Sequence, residues 1–225
     1  MYKAERTDFA YLVGYGNRSG LKQAIKFALQ YRPRGLCINP VVYDYIIQND
    51  EIFRLYEQLG LMRILRQYVI DFPLGQGGYA GKILLAEDLI ENDLVDEFDV
   101  VANIGAIINN DYEKFSSELH DLIALNKPVK VIVETGYYAH DDGPLERAVY
   151  WCANLGVYAI KTSTGIIEKI DNETKRKHVA LWRNIINRNG YDLKIKDSGG
   201  KTTREDIDKS LAAGADIVGI SSVIL

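Results

Sequence analysis

The sequence predicts a single (β/α)8 barrel domain spanning residues 1–225, and three observations carry that expectation. Eight short β-branched or apolar runs alternate along the chain with amphipathic stretches of helical period, and parallel strands require crossovers of this kind. The chain has 225 residues, the size of one such barrel with one substantial core. An open doubly wound sheet is the competing architecture, but no GxGxxG follows an early strand, so a dinucleotide-binding fold loses ground.

Taken in order, 8–12 (DFAYL) reads as a short strand and 21–30 as a helix. Residues 35–39 (GLCIN) form the next strand, ended by Pro40, and 42–49 reads as helix. The run 63–72 carries a strand that ends in the turn-rich FPLGQGG. Residues 82–94 are amphipathic, 99–104 (DVVANI) is a strand, and 112–125 returns to helix. The strongest strand signal is 129–135 (VKVIVET), dense in valine and isoleucine. Helix 143–155 is stopped by Gly156, strand 158–162 follows, and helix 173–189 is closed by Gly190. Strand 193–197, helix 203–213 closed by Gly214, and strand 217–221 complete the pattern. N-caps are expected within Asp171–Glu173 and at Thr202 or Thr203. The KRK run at Lys175–Lys177 reads as a solvated helix face. No linker, low-complexity tract or composition break divides the chain.

Composition narrows the function classes. A formal charge of −4 argues against nucleic acid or an anionic membrane as the main partner. The two cysteines, Cys37 and Cys152, have no CxxC or Cys/His spacing, which suits a reduced, cytoplasmic protein without a zinc site. The histidines at 120, 140 and 178 are scattered, so neither a metal cluster nor a catalytic triad is suggested. The N-terminus lacks an apolar signal core, and no run is long enough to span a bilayer. Association into a homo-oligomer is compatible with a barrel of this size.

Three ionisable residues stand where strand patterns call for apolar ones: Asp99 in DVVANI, Lys161 in AIKTS and Lys196 in LKIKDSGG. Each alone has an ordinary reading. A strand-end lysine snorkels to water, Lys194 and Lys196 could alternate outward, and Asp99 could cap a turn. Alternation, however, places Ala159, Lys161 and Ser163 on one face, and Lys194, Lys196 and Ser198 on one face of the next strand. Two lysines facing into one barrel repel as cations, and the less solvated one loses its proton and becomes a nucleophile toward carbonyls. Asp99 would then hold a water or move a proton. Gly165 follows the first lysine strand, Gly199–Gly200 the second, and Ser221 and Ser222 lie at the end of the last strand. Glycines and hydroxyls in loops after late barrel strands suit a phosphate cradle, although each glycine singly reads as a turn residue. Cys37 reads as a small core residue, since no base neighbours it.

IKTSTG, KDSGGKTTREDI and GADIVGISS closely resemble the deoxyribose-phosphate aldolase family of class I aldolases. LCINP at 36–40, DFPLG at 71–75 and VKVIVET at 129–135 extend the resemblance over most of the chain. The KTSTG and KxSGG pair is specific, whereas each N-terminal match is weak alone. The resemblance implies that Lys161 forms the Schiff base, Lys196 tunes it and Asp99 serves in proton relay. Gly165, Gly199, Gly200, Ser221 and Ser222 would grip the phosphate, and Lys201 is a candidate substitute for a phosphate-facing arginine of the family. The resemblance also implies reversible cleavage of 2-deoxy-D-ribose 5-phosphate to acetaldehyde and D-glyceraldehyde 3-phosphate without metal or cofactor. Three departures stand out. Ala10 replaces the hydroxyl of an Asp-x-Thr-x-Leu element; Lys201-Thr202-Thr203 replaces an apolar-Arg-Thr run, and lysine lacks arginine's bidentate fork. The chain also ends at Leu225, without a longer tail over the pocket. A related Schiff-base aldolase with another aldehyde or donor, or a catalytically silent sugar-phosphate-binding barrel, are the alternatives. The paired lysines speak against the silent barrel, because a pure binder has no need of them.

Overall fold

The computed structural model describes residues 3–167 and 169–221. Its strands are β1 (Thr7–Tyr11), β2 (Gly35–Ile38), β3 (Leu65–Ile70), β4 (Glu97–Val101), β5 (Val129–Ile132), β6 (Ala159–Lys161), β7 (Lys194–Asp197) and β8 (Ile217–Ile220). They pair in chain order, all parallel, and β8 returns to β1 to close the barrel. The expected (β/α)8 architecture is the observed one.

Helices run outside the barrel between consecutive strands. Helix α1 (Arg18–Tyr31) follows β1, with Asn17 accepting from the Gly20 N–H as its N-cap. Between β2 and β3 lie α2 (Tyr43–Ile47) and α3 (Asp50–Leu61). Helix α3 is not predicted by the sequence pattern, which ends the helix at residue 49; Asn49 is instead the N-cap of a new helix, accepting from the Ile52 N–H. Helix α4 (Gly78–Glu91) joins β3 to β4 and begins four residues before its expected start. The expected helix 112–125 is broken into α6 (Tyr112–Ser117) and α7 (His120–Ala124), after a short α5 (Ile104–Ile108). Helices α8 (Asp142–Asn154), α9 (Asn172–Asn189) and α10 (Arg204–Ala212) match their expected places within a residue or two. Asp171 caps α9, Gly190 ends it at φ +67°, and Thr203 with Asp206 forms a capping box on α10.

Two layers of side chains position the site. Outward strand residues such as Leu36, Ile38, Tyr68, Phe98, Val100 and Val131 pack against helix residues such as Leu21, Ile25, Tyr56, Leu89 and Trp182 in one continuous apolar core. The inward face differs from the usual branched-aliphatic filling of such barrels. Asp8, Gln67, Glu97, Asp99, Lys130 and Lys196 are all buried there, and burial on this scale demands mutual pairing.

Candidate active site

Lys161 on β6 and Lys196 on β7 are direct register partners, so both side chains leave their strands on the same, inward face. Their ammonium nitrogens meet at one atom: Asp99 Oδ2 accepts from Lys161 at 2.6 Å and from Lys196 at 2.8 Å. The three residues singled out in the sequence therefore converge. Asp99 comes from β4, and its other oxygen takes Lys130 Nζ from β5 at 2.6 Å.

The sequence reading missed the groups that set the charge of this cluster. Lys130 also pairs with Glu97 at 2.9 Å, and Lys196 pairs with Asp8 at 2.7 Å. Arg34, just before β2, bonds to Asp8 at 2.8 Å, to Glu97, and at 3.2 Å to the Tyr158 hydroxyl. Gln67 bridges Asp8 and Glu97 with its amide N–H groups. A signal existed: Glu97 lies two residues from Asp99 and so shares its face, and Lys130 sits between two valines.

The titration of the cluster follows from its count of charges. Four cations (Arg34, Lys130, Lys161 and Lys196) face three carboxylates (Asp8, Glu97 and Asp99), all of them buried except the half-buried Arg34. One positive charge is in surplus, and the group that loses it most readily is Lys161. Burial pushes the Lys161 amine below the ordinary lysine value; Asp99 opposes the shift and the Lys196 charge adds to it. Lys196 and Lys130 move the other way, because carboxylates on two sides outweigh their desolvation. Asp8 and Asp99 are held well below the usual carboxylate range by the surrounding lysines, despite burial. Cys37 lies next to this cluster, and burial pushes its thiol up to about 12, so it is a core thiol and not a nucleophile.

Above the cluster, at the C-terminal ends of the strands, a cavity of about 390 Å³ opens. Lys161 and Lys196 form its floor with Asp8 and Ala10 of β1. Its walls come from the loop after β1 (Leu12 to Tyr15) and from Thr164 to Ile166, Ser198 to Lys201 and Gly219 to Ser221. The expected contacts Gly165, Gly199, Gly200, Ser221 and Lys201 thus border the same space as the two lysines; Ser222 lies outside the described residues. Lys201 reaches the cavity, but its ammonium is engaged by Asp197 at 2.9 Å, Asn172 at 3.1 Å and the Gly199 carbonyl at 3.2 Å.

Glycine is required at the turns facing each other across the cavity wall. Gly165 and Gly199 have φ of +78° and +82°, and a Cβ on Gly199 would lie 2.8 Å from Gly165 Cα and 2.9 Å from Ser163 Oγ. Glu134, itself left-handed at φ +42°, accepts the Thr164 N–H at 2.7 Å and pins the loop after β6. Among the described residues, no group of three or more His, Cys, Asp or Glu is placed to hold a metal ion. No described helix is long and apolar enough to cross a membrane.

No family model matches the chain. Curated relatives do, among them two aligned over nearly their whole length. Deoxyribose-phosphate aldolase 2 of Staphylococcus aureus is 30% identical over 224 residues, covering 99% of this chain and 94% of the relative. Deoxyribose-phosphate aldolase 1 of the same species is 30% identical over 217 residues, covering 96% and 90%. Among solved structures, the tetrameric deoxyribose phosphate aldolase from Aeropyrum pernix is 26% identical with a TM-score of 0.80, covering 97% of this chain and 86% of that one. With lysines on adjacent barrel strands sharing one carboxylate, and relatives matched from end to end, the chain belongs to the deoxyribose-phosphate aldolase family.

Proposed function

We propose that the chain cleaves 2-deoxy-D-ribose 5-phosphate reversibly to acetaldehyde and D-glyceraldehyde 3-phosphate, with Lys161 as the Schiff-base lysine. The observation that carries this reading is the surplus positive charge beneath the cavity floor. It makes Lys161 the amine that surrenders a proton, and it leaves Lys196 charged beside it. The neutral amine attacks the sugar aldehyde carbon, and loss of water from the carbinolamine gives a protonated imine. That imine restores a cation next to Asp99 Oδ2, where the carboxylate stabilises it. The C2–C3 bond then breaks: the C3 hydroxyl loses its proton, the phosphorylated aldehyde departs, and the bonding pair flows into the iminium as an enamine. Protonation of the enamine carbon and hydrolysis release acetaldehyde and free Lys161.

Lys196 is the group suited to supply protons, since its ammonium faces the same Asp99 oxygen as the reacting nitrogen. Asp99 is a poor base in this setting, because three ammonium groups hold it ionised. We assign it the task of orienting both lysines, with a water carrying protons between them. Borohydride reduction in the presence of acetaldehyde, followed by peptide mapping, tests the proposal. An adduct on Lys161 is expected, and an active preparation without one would remove Lys161 from its role.

A second reading keeps the chemistry and changes the aldehyde. Ala10 on the floor and Leu12, Val13, Ile166 and Ile220 on the walls give the cavity apolar surface on which an unphosphorylated aldehyde could rest. Comparing 2-deoxy-D-ribose with its 5-phosphate separates the two.

A further inference from the structure

Lys175, on the first turn of α9, belongs to the KRK run whose sequence predicts a solvated face. Helical spacing instead sets it on the stripe of Val179, Trp182 and Ile186, and it is only 3% exposed while Lys177 faces solvent. Lys82, Lys130, Lys161, Lys196 and Lys201 are also buried, and each has a carboxylate within 3 Å. Lys175 has no such ion pair among the described residues. Its Nζ donates to the Gly199 carbonyl at 2.6 Å and to the Ser198 carbonyl at 3.3 Å.

Those two bonds fix the turn on the cavity wall. In a trans peptide the carbonyl and the N–H point in opposite directions. An ammonium that holds the carbonyls of Ser198 and Gly199 therefore turns the N–H groups of Gly199 and Gly200 away from itself, and it polarises them. The N–H groups of Gly165, Gly199, Gly200 and Lys201 donate to no acceptor among the described residues, and all four residues line the cavity. Unpartnered donors backed by a cation lacking a counter-ion form a place for an oxyanion.

Resting on the reading that a sugar phosphate occupies this cavity, we propose that Lys175 is a positioning residue that supplies charge from behind the Gly199–Gly200 turn and so sets preference for phosphorylated over unphosphorylated substrate. Burial, then the neighbouring Lys201, lowers its amine to about 8, against the pull of Asp197, Glu134 and Asp171. Oxyanion affinity should accordingly decline as pH rises past that value.

Sulfate, whose charge does not change over this range, is the probe. Wild-type protein should bind it severalfold more weakly at pH 9.5 than at pH 7. Lys175→Met should bind it at least fivefold more weakly at pH 7 and show no further decline. Lys175→Arg should keep the affinity and lose the pH dependence. In turnover, the ratio of kcat/KM for 2-deoxy-D-ribose 5-phosphate to that for 2-deoxy-D-ribose should fall tenfold or more in Lys175→Met, through KM. Equal losses on both substrates, or a sulfate pH profile shared by wild type and both variants, would overturn the inference. Should Lys175→Met not fold, the wild-type and Lys175→Arg profiles decide. Sulfate binding needs no turnover, so failed trapping at Lys161 would sink the aldolase mechanism while leaving this result readable.

Discussion

Replacing Lys196 with methionine tests the charge count directly. Lys161 and Lys196 both bond Asp99 Oδ2, at 2.6 and 2.8 Å, so their nitrogens are separated by roughly 5 Å or less. Two unit charges at about 5 Å interact by about 3 kcal/mol at an effective dielectric constant of about 20, or about 2 pKa units. Removing Lys196 leaves three cations against three carboxylates with Lys161 protonated, so the proton is no longer in surplus. The Lys161 pKa therefore rises, although burial, its largest depressing cause, keeps it from full recovery. Because the reactive form is the neutral amine, the acid limb of the kcat/KM profile should move up by about two units, with about a hundredfold loss on that limb. Rates of reductive trapping with acetaldehyde across pH provide the assay. The position of the limb is the readout, since a lost proton donor would lower the plateau without moving the limb. Asp8 loses one of its ion pairs in the variant and keeps Arg34, so thermal unfolding should be recorded alongside to show a folded protein. A limb that stays in place would refute the argument that Lys196 keeps Lys161 neutral.

Three further outcomes follow from particular contacts. Gly199→Ala should raise KM for the phosphorylated substrate more than it lowers kcat, because the new Cβ drives two cavity loops apart; an unchanged KM would refute it. Lys82→Met removes the ammonium between Asp71 at 2.7 Å and Glu118 at 2.8 Å, and breaking such a buried pair costs about 3–5 kcal/mol; calorimetry should record a Tm about 10 °C lower. Asp8 and Asp99 titrate below their unfolded values, so their contribution is complete above about pH 4. It is lost as pH falls below that toward their folded pKa values. Denaturant titrations should show constant stability near pH 6 and a steep decline below pH 4, and a flat profile down to pH 3 would contradict the burial of ionised carboxylates.

The barrel was legible because alternation of strand and helix patterns is a local property, repeated eight times with turn residues between. The paired lysines were legible because each interrupts an apolar run and is followed by glycine and hydroxyls. Glu97 and Lys130 left a local signal, in the spacing from Asp99 and in a valine-flanked lysine, whereas the pairing of Asp8 and Arg34 with the cluster depends on register between neighbouring strands, which no single run reveals. Lys175 escaped for a different reason. Three basic residues in a row suggest solvent, whereas the 3.6-residue period separates Lys175 from Lys177 by more than half a turn. Helix α3 was lost because Asn49 reads equally as a terminator and as a cap. For Asp8 and Arg34 the missing information lay in contacts between distant segments; for Lys175 and α3 it was local but ambiguous.

The ionic lining of the barrel also bears on how the molecule assembles. Its charged partners reside on β1, β4, β5, β6 and β7, with Arg34 at the threshold of β2. Any half-built cylinder would leave ammonium or carboxylate groups stranded against hydrocarbon with their mates elsewhere, a state far less tolerable than an unfinished aliphatic interior. Closure should thus be an all-or-nothing event, and fragments cut at the midpoint of the chain should stay unfolded alone and regain order only when mixed.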